Sequence, residues 1–269
     1  MIGRILQNVQ KHGRRPESRP RQEAEGVRQQ LHTLPPILLP SEKPSPVPYR
    51  LHVTLVLEKH HVAGLLQPGA AEALTAMHAP AGLGLLHSAW NFNEAREDTD
   101  RVTIYNVWTM FDADSLLRAE LLLPDEPAYA VFQRHVIAEN KDLILPVVPK
   151  TFEGPDPSTF NYLRIRRALR LPKVAEYSAR LEAGVIPFCQ DNGWGEGQAY
   201  FSLTGRTGSI TQLWKVPSEI SLARAQELLE PESWSQPELF DRNIQPDFLL
   251  LTPTPGDPTI AKGVKFHAV

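Results

Sequence analysis

Apolar and polar positions alternate along residues 49–58 (YRLHVTLVLE), which predicts a strand. Leu51, Val53, Leu55 and Leu57 then share one face, and His52, Thr54, Val56 and Glu58 the other. After Pro68 the segment AAEALTAMH reads as a helix, opened by a proline near its first position and ended by Pro80 and Gly82. Residues 84–92 and 102–110 are predicted strands separated by a charged turn. Asp112 or Asp114 is placed to cap the helix behind the second of them. Pro124 and Pro127 precede a further helical piece, AYAVFQRHVIAEN, and residues 143–148 form a short apolar strand. The same order then returns. Residues 161–169 predict a strand, 172–190 an amphipathic helix, and 200–204 with 210–216 a hairpin. Residues 221–229 predict a helix, 237–243 a helical turn and 248–252 a last strand.

This return is a repeat in the residues themselves. Trp108 aligns with Trp214, Ile104 with Ile210, Asn106 with Gln212, Ser115 with Ser221 and Arg118 with Arg224. Pro68 aligns with Pro172, Phe132 with Phe240 and Arg134 with Arg242. A long internal period fixes the architecture before anything else is read. Each unit carries the β-α-β-β-α-β order of a ferredoxin-like fold. The predicted class is α+β: two tandem ferredoxin-like units, packed sheet on sheet as a dimeric α/β-barrel within one chain. The expected division is an extension at 1–48, a first unit at 49–149, a second at 160–253 and a loosely packed tail at 254–269.

Composition agrees with a globular chain of 269 residues, 42% apolar and 22% charged. The lone Cys189 excludes a disulfide framework and any multi-thiolate metal site, and it fits a reducing, cytoplasmic setting. No apolar run approaches the roughly 18 residues that span a bilayer, so no membrane span is expected. The net charge of −3 is uneven. Residues 1–45 hold eight Lys/Arg against four acids, and residues 34–48 hold six prolines. We read this basic, proline-rich extension as a solvated arm rather than a nucleic-acid contact. Arg14–Arg15 is followed by no apolar stretch, so no export signal is expected.

The second unit resembles a NIPSNAP domain. The resemblance is carried by PKVAEYSARLEAGVIPFCQDNG (172–193), by QLWKVPSEISL (212–222) and by FDRNIQPDFLLLTP (240–253). In the first unit only the V-W-x-x-x-D-x-D-S-L stretch is similar. The resemblance implies a dimeric α/β-barrel whose ligand space lies between a unit's sheet and its helices. The wider group includes cofactor-free monooxygenases, polyketide cyclases and haem enzymes, and it supplies no shared catalytic set to carry over.

Candidate chemistry follows from polar residues on strand faces. Asn106 with Trp108, and Gln212 with Trp214, each set an amide beside an indole that can hold a planar, aromatic or polyketide-like ligand. Packing between sheet and helix explains the same pairs. Six of the nine histidines fall in the first unit. His87, near Trp90, is the best candidate for a general base in cofactor-free enolisation, with His52 second. Tyr162, Arg164 and Arg166 share a strand face suited to a carboxylate or enolate. His60 and His61 are adjacent and point apart if extended, so no metal site is expected, and no cofactor is either. There is no G-x-S-x-G, no P-loop and no dinucleotide fingerprint. Cys189 sits at a helix C-terminus, the wrong end for an activated thiol. The reading is a cofactor-independent tailoring enzyme (oxygenase, cyclase or isomerase) for a hydrophobic or aromatic small molecule. The chain would be a monomer with an internal pseudo-dimer, or a homodimer. The alternative is a non-catalytic binding or scaffold protein of NIPSNAP type.

Overall fold

The computed structural model describes residues 48–65, 70–91, 100–147, 159–170, 173–195, 197–205, 208–229, 239–240 and 246–260. The predicted arm at 1–47, the helix opening at Pro68, the charged turn after residue 92, the linker after residue 150, most of the 237–243 turn and the tail beyond 260 lie outside these residues.

Alternation along each strand builds the sheet. Its strands are β1 (Arg50–Glu58), β2 (Leu83–Trp90), β3 (Arg101–Met110), β4 (Val136–Pro146), β5 (Phe160–Ala168), β6 (Gly197–Ser202), β7 (Ser209–Pro217) and β8 (Asp247–Pro253). They form one closed barrel in the order β1-β3-β2-β8-β5-β7-β6-β4, and all the strand pairs are antiparallel. The first four strands run β4-β1-β3-β2 and the last four β8-β5-β7-β6, the same relative order. Two short seams close the ring. Ala89 and Trp90 pair with Pro253 and Thr252 on one side, and Ile144 to Pro146 with Ser202 to Tyr200 on the other. Closure removes the free sheet edges that would otherwise pair with other chains.

The outer face of each half is covered by helices. In the first half these are α1 (Lys59–Leu65), α2 (Ala70–His78), α3 (Ser115–Leu122) and α4 (Pro127–Gln133). In the second half α5 (Val174–Arg180) and α6 (Ile186–Asp191) are joined by a π turn at Leu181–Val185, followed by α7 (Leu222–Leu229). Pro187 explains the π turn, because it has no N–H to continue the ordinary ladder. Leu51, Val53, Leu55, Leu57 and Trp108 pack under the first set of helices. Leu163, Ile165 and Trp214 pack under the second, against Tyr177 and Leu181. Every second side chain of each strand points instead into the barrel lumen.

Two elements differ from the sequence reading. The helical piece stops at Gln133, and 136–140 belongs to β4, where Val136 pairs with Leu57 and Asn140 with Thr54. Pairing against a central strand outweighs the helix preference of Ala138 and Glu139. Helix α1 was not foreseen, because it follows β1 with no intervening turn residue. At the start of α3, Asp114 is the N-cap residue but makes no side-chain cap hydrogen bond, and Asp112 braces the turn before it. Its Oδ1 accepts from Asp114 N at 2.9 Å and from Arg118 Nη2 at 2.8 Å.

Candidate functional site in the barrel lumen

The pleat of the sheet divides the predicted site residues between two spaces. On β3, Asn106 and Trp108 face the helices. On β2, a bulge at Leu86 shifts the register, so His87 pairs with Val107 and Ser88 with Asn106. His87 therefore lies on the lumen side, away from Asn106, Trp108 and Trp90. Trp90 packs against the first helix-covered core.

Of the two amide–indole pairs, Gln212 with Trp214 is tied into the second core by hydrogen bonds. Trp214 Nε1 donates to Gln212 Oε1 at 2.9 Å, and Gln212 Nε2 donates to Tyr177 Oη. Trp214 is 1% exposed and lies 6.3 Å from Trp194, centroid to centroid. Trp108 is stacked 4.4 Å from His78, whose Nδ1 donates to Leu74 O at 2.7 Å. The space beside Asn106 and Trp108 holds about 30 Å³. That is roughly a tenth of the smallest ordinary ligand pocket. The sheet–helix space expected from the resemblance is therefore present beside Asn106 and Trp108 but small.

The lumen gathers the remaining candidates. His52, His87, Tyr105, Arg164, Tyr200 and Leu213 line one interior space, also of about 30 Å³. Register explains the gathering: His52 faces Val107, which faces His87, while Arg164 lies between Leu213 and Leu249.

Arg164 Nη2 and Arg166 Nη2 both donate to Asp247 Oδ2, at 2.8 and 2.9 Å. Two guanidiniums on one carboxylate leave this cluster one positive charge. Their Nε atoms are buried and make no hydrogen bond among the described residues. A buried donor in that state is costly and favours an incoming acceptor. The Arg164 guanidinium also lies 4.5 Å from the centre of the Tyr105 ring, which in turn stacks with His52 at 6.2 Å. Burial first, then the charges of Arg164 and Arg166, lowers His52 to about 3, so its imidazole is neutral at ordinary pH.

His87 is held by a chain of hydrogen bonds. Its Nδ1 lies 3.1 Å from Tyr162 Oη, which donates to Asp257 Oδ2 at 3.1 Å and lies 2.7 Å from Thr259 Oγ1. Asp257 also accepts from Ser88 N at 2.8 Å, from Thr259 N at 2.8 Å and from Thr259 Oγ1 at 2.5 Å. A carboxylate has no proton to give, and the Thr259 proton is already committed to Asp257. The single Tyr162 proton therefore points towards Asp257 and Thr259. That requires His87 Nδ1 to be the donor to Tyr162 Oη. His87 is then the Nδ1–H tautomer, with its basic lone pair on Nε2.

The structure thus brings together His52, His87, Tyr162 and Arg164, and sets Trp90, Asn106, Trp108, Gln212 and Trp214 apart. Tyr105, Tyr200, Asp247 and Asp257 were missed. Alternation could have found Tyr105, one residue from Asn106 and so on the opposite face. Nothing in the tail's Pro/Gly pattern marks Asp257, which is 3% exposed although its segment was expected to be loosely packed. Cys189 is buried, and burial raises its thiol well above the ordinary range.

The histidines expected to point apart do not. His60 and His61 lie on α1 rather than on an extended strand, and with Glu58 they bring three potential metal-ligand atoms within 4.8 Å of one another.

No protein-family profile and no curated protein sequence matches the chain. Solved structures do. A candidate monooxygenase from Lactobacillus acidophilus NCFM matches with a TM-score of 0.52 at 10% identity, over 77% of this chain and 94% of that one. A second candidate monooxygenase, from Fusobacterium nucleatum, matches at 0.49 and 12% identity over 77% and 92%. An anthrone oxidase-like protein matches at 0.45 and 10% over 84% and 98%. At such identities the likeness is one of fold. The fold they share is an α/β-barrel, with both halves of the barrel supplied here by a single chain. No helix among the described residues is long and apolar enough to cross a membrane.

Proposed function

We propose that the barrel binds a small molecule through an anionic or enolisable oxygen in its lumen, and that it is a cofactor-independent enzyme of oxygenase, cyclase or isomerase type. The ligand we propose is aromatic or polyketide-like. On this reading the two halves are tandem ferredoxin-like units, the second of NIPSNAP type, and the chain works as a monomer with an internal pseudo-dimer or as a homodimer. The observation that carries the reading is the convergence on one interior space of His87, oriented by Tyr162, and Arg164. The chemistry common to the three reaction types is removal of a proton from carbon made acidic by a carbonyl, either adjacent or conjugated with it through an aromatic ring. His87 Nε2 takes the proton, the C–H electron pair moves to the carbonyl oxygen, and Arg164 stabilises the charge that develops there. In the oxygenase case, dioxygen reacts at that carbon. One oxygen atom stays as a new carbonyl and the other leaves as water with the two hydrogens of the original CH₂.

A non-catalytic reading is favoured by one observation, the free space of about 30 Å³. That is room for a water or two, so a ring system enters only by displacing side chains such as Leu213. The experiment is oxygen uptake with 1,8-dihydroxyanthrone as probe. Turnover above the buffer rate that falls about 100-fold or more in His87→Ala, and falls in Arg164→Met, is expected. No uptake by the wild-type chain, or uptake indifferent to both substitutions, leaves the non-catalytic reading standing.

A further inference from the structure

We infer that Glu58, His60 and His61, at the rim where β1 runs into α1, form a binding site for a divalent first-row transition-metal ion of zinc's class. The site is independent of the lumen and does not rest on the reading above.

Local structure makes the cluster. Glu58 is the last residue of β1, and α1 begins at the next position, anchored by Lys59 N donating to Asp100 O at 2.8 Å. The helical turn brings His60 and His61 back over Glu58. Glu58 Oε2 lies 3.2 Å from His61 Nε2 and 3.5 Å from His60 Nε2. Zinc holds imidazole nitrogen at about 2.0–2.1 Å and carboxylate oxygen at about 2.0–2.2 Å, so two ligands of a tetrahedral ion stand about 3.3–3.5 Å apart. One carboxylate oxygen is therefore already near the ligand-to-ligand distance from both rings.

A third imidazole supports them. Leu57 pairs with Val136, so His135 arrives beside the end of β1 from β4. The His135 and His61 ring centres are 3.5 Å apart, and those of His60 and His61 are 3.9 Å apart. Rings packed this closely repel one another when protonated. Neutral imidazole is the form that ligates metal. Two nitrogens and one carboxylate oxygen suit zinc, cobalt, nickel or copper; calcium and magnesium take oxygen sets. The His60 and Glu58 side chains are 72% and 48% exposed, so the remaining position faces solvent. A plain surface ion pair would need only one of the two histidines.

The test uses tag-free, full-length protein stripped with chelator. Calorimetric titration with Zn²⁺ is expected to give one ion per chain with a dissociation constant of 10 µM or tighter, on the order expected for three protein ligands. Millimolar Mg²⁺ is expected to give no heat. Glu58→Gln, and the His60→Ala/His61→Ala pair, should each weaken Zn²⁺ at least tenfold while circular dichroism stays native, as Glu58 and His60 are exposed and His61 is only half-buried. Co²⁺ should give the visible absorption of a tetrahedral ion, absent from the double variant. Binding no tighter than 100 µM overturns the inference. Undiminished binding in the folded double variant also overturns it, because the ion is then held elsewhere.

Discussion

His87 depends on two residues remote in sequence. Tyr162 orients its Nδ1, and Asp257 fixes which way the Tyr162 proton points. Only the first of these was visible as a candidate. A histidine or tyrosine announces its chemistry by type, but a carboxylate in a Pro/Gly tail does not announce where it docks. His52 carries a different consequence. Its folded-state pKa lies near 3 against an ordinary 6.5. The unfolded chain therefore takes up a proton there between those values and the folded chain does not. Stability from this residue is fully present above about pH 6.5 and is lost as pH falls towards 3, with a slope of at most about 1.4 kcal/mol per pH unit. His78, lowered mainly by burial, acts in the same direction. Urea unfolding across this range should show the loss, and His52→Gln should flatten it. An equally steep fall in that variant would assign the effect to other groups.

At the scale of elements, alternation told most of the strands and hid where they turn. Strands β1, β3, β5, β7 and β8 lie within a residue or two of their predicted limits. β4 was half hidden, because Ala138, Glu139 and Asn140 look like the end of a helix until β1 pairs with them. The bulge at Leu86 was invisible, and it decides the site. A one-residue shift moves a side chain to the other face of the sheet. Without the bulge, His87 would pair with Asn106 and sit on the helix side of the sheet. Strand β6 carries a test of packing. A Cβ on Gly197 would come within 2.2 Å of the buried Trp214 ring. Gly197→Ala should therefore destabilise the chain by about 1–3 kcal/mol through overpacking, read as a lower urea midpoint. An unchanged midpoint would mean that Trp214 is not fixed by the second core.

At the scale of the molecule, the repeat and the closed ring explain why polar residues gather inside. Two four-stranded halves of the same order meet at two short seams, and their unrepeated residues face one another across the lumen. The first half brings His52 and His87, and the second brings Tyr162, Arg164 and Arg166. The repeated residues, Trp108 with Trp214 and Asn106 with Gln212, went to the cores. Repetition marked architecture, and departure from it marked the candidate chemistry. The segment 254–259 then locks one seam, with Thr254 N donating to Ser88 O at 2.8 Å and Asp257 bound to the Ser88 backbone. The account turns on whether His87 presents a basic Nε2 to a lumen that accepts an anion beside Arg164. The most direct measurement is a long-range ¹H–¹⁵N spectrum of the histidine side chains, titrated with 1-hydroxy-2-naphthoate. The expected result is His87 as the Nδ1–H tautomer, with an Nε2 resonance that moves on addition of the ligand and stays fixed in Arg164→Met. An Nε2–H tautomer, or a His87 signal indifferent to the ligand at millimolar concentration, would contradict it.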